Sequence, residues 1–133
     1  MYRLSRVSIF PIFVCLLPLS SAALVCPGYK VDPLKIVKPG LAIRITGGAT
    51  GCLTLEAYNE YLESIYSGRT AKAAELQNLH VCYNAPKEGV VARVLKIAKS
   101  KQGCAIEVFI ESDPLAAKSW TDIGMIDEIM IPK

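Results

Sequence analysis

Four cysteines, Cys26, Cys52, Cys82 and Cys104, are spread over the 110 residues that follow an export-type leader. The leader reads Met1-Tyr2-Arg3-Leu4-Ser5-Arg6, then an apolar run from Val7 to Leu19, then Ser20-Ser21-Ala22-Ala23. Two cations, a short apolar core and small residues at a cleavage point are the pattern of a secretory signal peptide. The core is about 13 residues, too short for a bilayer that needs about 20, and Pro11 and Pro18 interrupt it. We therefore expect residues 1–23 to be a signal peptide and residues 24–133 a single exported domain, secreted or periplasmic. Cys15 leaves with the leader, and an even number of cysteines in an oxidising compartment reads as two disulfides. Of the three possible pairings, Cys52–Cys82 with Cys26–Cys104 is preferred, because the first would close the base of a helical hairpin. Lipidation at Cys26 would place a bulky Val25 where a small residue is expected.

Composition narrows the partners. The formal net charge is +3, but losing Arg3 and Arg6 with the leader leaves 13 cations against 12 anions. Such a domain lacks the clustered basic face of a nucleic-acid binder. No later apolar stretch is long enough to span a membrane, so no integral membrane segment is expected in the mature chain. A protein or a cell-wall ligand suits a near-neutral exported domain best.

Residues 24–39 carry Pro27, Pro33 and Pro39 and read as an extended lead-in. Leu41 to Thr46 alternates, with Leu41, Ile43 and Ile45 on one face, as a half-buried strand does. Gly47-Gly48-Ala49-Thr50-Gly51 reads as a turn. Thr54 can cap a helix that Gly68 stops, with Tyr58, Tyr61, Leu62 and Ile65 on one stripe. Thr70 can cap a second helix, giving a helical hairpin over about residues 54–78. Tyr83 to Gly89 reads as a loop. Val90 to Ile97 and Cys104 to Glu111 make a strand hairpin, Ser119 to Ile126 reads as a further strand, and Asp127 to Ile131 closes the chain as a short turn or strand. The fold class expected is α+β: a small bent antiparallel sheet or barrel with an inserted helical hairpin.

Pro39-Gly40 followed by the alternating strand, Gly89 to Leu95 with the following hairpin, and Trp120 with Gly124-Met125-Ile126 together resemble small bacterial SH3-like barrel domains. The resemblance covers about 55 residues in two pieces, and Trp120 and Gly124 are separated where that family often joins them. It implies a binding module with ligands from wall peptides to proteins, and no catalytic residues.

Chemistry-bearing residues are few. His80 and Cys82 would share a face if they lay on one strand, as a thiolate–imidazole couple requires. A disulfide half beside a histidine is the simpler account. No serine sits in a Gly-x-Ser-x-Gly elbow. Glu107 and Glu111 would be about 13 Å apart along a strand, too far for a retaining glycosidase pair. The glycines at 47–51 lack the Gly-Lys-Ser/Thr ending of a phosphate loop. The cysteines lack metal-knuckle spacing and His80 is the sole histidine, so neither a metal nor a cofactor is expected. Trp120, the sole tryptophan, is an anchor for a partner or a plug for a barrel end. With Lys118, Asp113 and Tyr83 it forms the candidate partner-binding set. The expectation is a non-catalytic binding or inhibitory module of the envelope. Its alternatives are a small exported hydrolase or toxin using His80, and a structural subunit of a surface assembly.

Overall fold

A computed structural model describes residues 24–112 and 118–130. Seven strands form one antiparallel sheet: β1 (Ala42–Ile45), β2 (Thr50–Cys52), β3 (Cys82–Asn84), β4 (Val90–Ser100), β5 (Gly103–Phe109), β6 (Lys118–Asp122) and β7 (Ile126–Ile129). Helices α1 (Leu55–Tyr66) and α2 (Thr70–Asn78) lie between β2 and β3. The strand order is β3-β2-β6-β5-β4-β1-β7, and the sheet curls into a half-barrel. The α+β class with an inserted helical hairpin is therefore what the chain adopts.

Alternation builds the concave side. Ile43 and Ile45 of β1, Ala92 and Val94 of β4, and Cys104, Ile106 and Val108 of β5 point into it. Val91, on the other face of β4, is 46 % exposed. A bulge between Val94 and Lys96 shifts the register of β4 against β5. The extra residue turns Ile97 to the concave core and lets Ala98 pack beneath the helices on the convex face. This is why a segment that reads as apolar on both sides can serve two cores.

The convex core contains Cys52, Ala57, Tyr58, Leu76, Cys82, Ala105 and Trp120. Its lid is the helical hairpin. Thr54 caps α1 by accepting from the Ala57 amide (3.0 Å), and α1 ends with Gly68 at φ +80°. There the Gly68 and Arg69 amides donate to the Ile65 and Ser64 carbonyls, the paired bonds of a Schellman ending. Helix α2 ends the same way, with His80 and Val81 donating to Gln77 and Leu76, but His80 holds the left-handed position at φ +59°.

Each face has its own disulfide. Cys26–Cys104 ties the lead-in to the concave core, and Cys52–Cys82 joins directly opposed residues of β2 and β3 beneath the helices. This is the pairing preferred from the sequence. Tyr29 reinforces the first tie: its hydroxyl donates to Asp122 Oδ1 (3.2 Å) and accepts from the Cys104 amide (3.3 Å).

Several local expectations change. Gly51 and its neighbours, read as turn, and Tyr83 and Asn84, read as loop, form the paired strands β2 and β3. Three-residue strands carry almost no alternation, and it is their mutual pairing that defines them. Arg69, not Thr70, occupies the N-cap of α2, and no side chain caps it. Ile65 is 43 % exposed; Ser64, whose hydroxyl donates to the Glu60 carbonyl (2.8 Å), takes the buried place near the end of α1. The expected strand from Ser119 to Ile126 is divided. Asp122 accepts from the Gly124 amide (2.6 Å) and caps a single 3-10 turn, Ile123–Met125, which sends β7 to the far edge beside β1. The proposed leader, residues 1–23, lies outside the described residues.

Candidate functional site

Strands β6 and β5 present alternate side chains to the two faces, and this sorts the candidate residues. On β6, Trp120 points to the convex side and is 8 % exposed among Cys52, Tyr58 and Leu76. The sequence left it either a partner anchor or a plug for a barrel end; the helical hairpin covers it and makes it a core residue. Its neighbours Ser119 and Thr121 point to the concave side, where they line a cleft of about 220 Å³. Nothing in the sequence singled them out, although the alternation around Trp120 carries that information.

The cleft lies on the concave face of the half-barrel. Ile45, Val90, Val108 and Ile110 supply apolar surface from β1, β4 and the end of β5, and Ala85 and Pro86 supply one wall. Gly51, Ser119 and Thr121 form the opposite side, with Tyr83, Asn84 and Ser112 also lining it. No charged side chain lines it among the described residues. Gly51 lies so close to β6 that a Cβ there would meet Ser119 Oγ, and that hydroxyl would have to shift.

Hydrogen bonds hold the polar side in place. Thr121 Oγ1 donates to the Thr50 carbonyl (2.8 Å), joining β6 to β2. Asn84 Oδ1 accepts from Thr50 Oγ1 (2.8 Å) and from Gln77 Nε2 of α2 (3.1 Å). Tyr61 OH of α1 lies 3.2 Å from Thr50 Oγ1. The cleft wall is thus bonded to both helices, so the convex layer positions the concave site.

Of the expected partner-binding set, Tyr83 lines this cleft and Lys118 stands exposed at the start of β6. Asp113 lies outside the described residues. The structure therefore brings Tyr83 together with Ser119 and Thr121, and separates all three from the indole of Trp120.

The other candidates resolve simply. His80 is exposed in the turn after α2, and Cys82 is bonded to Cys52, so no thiolate accompanies the imidazole. The glycine turn spends amides internally: Gly48 N donates to the Ala85 carbonyl (3.2 Å) and Ala49 N to the Thr46 carbonyl (3.3 Å). Gly47 lies so close to the Lys87 carbonyl that a Cβ would not fit. A second hollow of about 270 Å³, between this turn and Tyr58, Tyr61 and Leu62, likewise has no cation in its lining. Glu107 pairs loosely with Lys96 across the hairpin (3.9 Å), and its side chain is 13 % exposed, so it is less solvated than its alternation implied. Burial pushes the Tyr58 phenol well above its ordinary pKa, with the negative charge of Asp122 adding to the shift. Burial also raises Tyr29, against the lowering effect of its bond from the Cys104 amide.

Among the described residues, no group of three His, Cys, Asp or Glu side chains is placed to hold a metal ion, and no helix is long and apolar enough to cross a membrane. Two disulfides are the chemistry of an oxidising environment. Compared with known proteins, the chain matches no protein-family model, no curated protein and no solved structure.

Proposed function

We propose that this chain is an exported, non-catalytic binding or inhibitory module of the cell envelope, recognising a protein or cell-wall ligand through its concave cleft. The observation that carries the reading is the cleft itself: apolar, lined by no charged side chain among the described residues, bordered by hydroxyls, and held by a disulfide-tied sheet. Preformed concavities with an apolar lining and a few polar groups are where proteins bind partners and ligands. A rigid frame limits the ordering cost of association. The leader-like residues 1–23 and the near-neutral charge of the remainder supply the exported setting. The SH3-like resemblance supports the same class of activity, with wall peptides among the candidate ligands.

The test is site-specific photocrosslinking in the oxidised protein, exposed to envelope extract and separately to solubilised wall fragments. A benzophenone side chain at Tyr83, which lines the cleft, is expected to yield a discrete adduct. The same group at Val91, an exposed position on the convex face of β4, is expected to yield none. Equal labelling from both positions, or none from either, would refute the reading.

A further inference from the structure

The size and electrostatics of the cleft narrow what it accepts. Its volume is about 220 Å³. Sites that enclose whole drug-sized ligands run from about 300 Å³ upward. An apolar cavity of about 150 Å³ holds one benzene. The cleft therefore has room for one ring-sized or branched apolar group and little more.

Charge points the same way. A buried ion needs a partner or a metal, because losing its hydration without one is strongly unfavourable. Among the described residues the lining offers hydroxyls and backbone, but no Lys, Arg, Asp or Glu. Charged side chains, phosphates and carboxylates are thus disfavoured, and an uncharged group is favoured. Ile45, Val108 and Ile110 are each nearly inaccessible, so the group must be inserted against a firm floor. An aromatic or leucine-like side chain projecting from a folded or extended partner meets these limits. A few buried side chains, aromatic ones above all, carry a large share of the energy in protein interfaces.

Building on the binding reading above, we propose that the concave cleft is an anchor pocket for one uncharged apolar side chain, aromatic or leucine-like, of a partner protein.

The experiment is a heteronuclear NMR titration of the oxidised protein with N-acetyl-phenylalaninamide and N-acetyl-leucinamide. N-acetyl-lysinamide and N-acetylglucosamine serve as comparison probes, and p-cresol tests for a free small-molecule ligand. Saturable shifts at Val108, Ile110, Ser119 and Thr121 with the two apolar amides are expected, at least tenfold tighter than with the comparison probes. Intermolecular NOEs from the probe to the Val108 and Ile110 methyls should locate it, and they need no mutation. Ala85→Leu, which extends a side chain into the cleft, should weaken the apolar amides at least tenfold, with folding checked by circular dichroism.

Absence of shifts with either apolar amide overturns the proposal. So does preference for the lysine or sugar probe, binding of p-cresol tenfold tighter than the amides, or NOEs showing that the protein's own residues or a second copy fill the cleft. If crosslinking from Tyr83 captures a partner whose binding survives Ala85→Leu, the anchor pocket fails while the broader binding reading stands. If neither crosslinking nor titration yields binding, both fail.

Discussion

The concave and convex faces of the sheet are closed by different means. The concave core is aliphatic: Ile43, Ile45, Val94, Ile106 and Val108 come from the strands themselves, and Cys26–Cys104 pins the lead-in against them. The convex core is aromatic and covered: Trp120 and Tyr58 fill the space between the sheet and the helical hairpin, and Cys52–Cys82 sits beneath. The sheet is a half-barrel with β3 and β7 at its two edges, and it keeps a cleft on its inner side. Helices laid on the outer side cover Trp120, and the hollow of about 270 Å³ beside Tyr58, Tyr61 and Leu62 lies between α1 and the glycine turn. One face of the sheet is stabilised by a lid, while the other keeps an open apolar cleft.

The largest expected effects separate the two disulfides. In the chain-entropy relation, a bridge spanning 78 residues stabilises by about 4.5 kcal/mol and one spanning 30 by about 3.6 kcal/mol. Replacing Cys26 and Cys104 with Ala should therefore lower the urea-unfolding free energy more than replacing Cys52 and Cys82. The reverse order would break the comparison, because it would make the helical layer the more dependent on its bridge.

Truncation on β6 tests the faces directly. Trp120→Ala should cost about 3–5 kcal/mol by removing the centre of the convex core, and should reduce the helical circular-dichroism signal. Ser119→Ala, one residue away on the cleft side, should cost less than about 1.5 kcal/mol, the ordinary scale of a single hydrogen bond. Similar losses at both positions would show that the cleft side is as tightly committed to stability as the covered side.

Alkaline pH should act mainly on the convex layer. The folded-state pKa of Tyr58 is raised, so the folded protein retains this proton when the unfolded chain has lost it. Its contribution is complete below about pH 10, the unfolded value, and falls as pH rises beyond it, by up to about 1.4 kcal/mol per unit. Tyr29, raised in the same direction, adds to the trend. Denaturation midpoints measured from pH 8 to 11 should fall above pH 10, and Tyr58→Phe should flatten the curve.

The smallest effects concern the ends of the helices. Thr54→Ala should destabilise by about 1 kcal/mol through loss of the cap on α1. His80→Gly should stabilise by about 1 kcal/mol, because a left-handed residue carries a steric cost that glycine avoids. A destabilising His80→Gly would mean that the imidazole makes a contribution beyond its backbone position.

Much of the local structure was legible before any tertiary information. The alternation of Leu41 to Thr46 and of Cys104 to Glu111 marked two strands by their period of two, and Thr54 and Gly68 marked the ends of α1 through capping chemistry. The preferred disulfides followed from the same reading, since a helical hairpin flanked by Cys52 and Cys82 suggests its own closure. The candidate site was less legible. Tyr83 lines the cleft, whereas Trp120, by sequence a partner anchor or a barrel plug, lies in the covered core on the opposite face of β6. Ser119 and Thr121 are unremarkable in composition, and only the burial of Trp120 beneath the helices assigns them to the opposite face.

The physical division is one of range. Periodicity, caps and turn residues act within about one element, so the strands, the helical hairpin and its stops are written in consecutive residues. Strand order is written nowhere locally: β6 pairs with β2 although some 65 residues separate them, and β7 crosses to β1 after a single 3-10 turn. The short strands β2 and β3, the bulge that turns β4 from one core to the other, and the cleft all depend on those distant pairings. Their energies become favourable only when the faces they cover are already assembled, and this is why the cleft belongs to the folded molecule rather than to any segment of the chain.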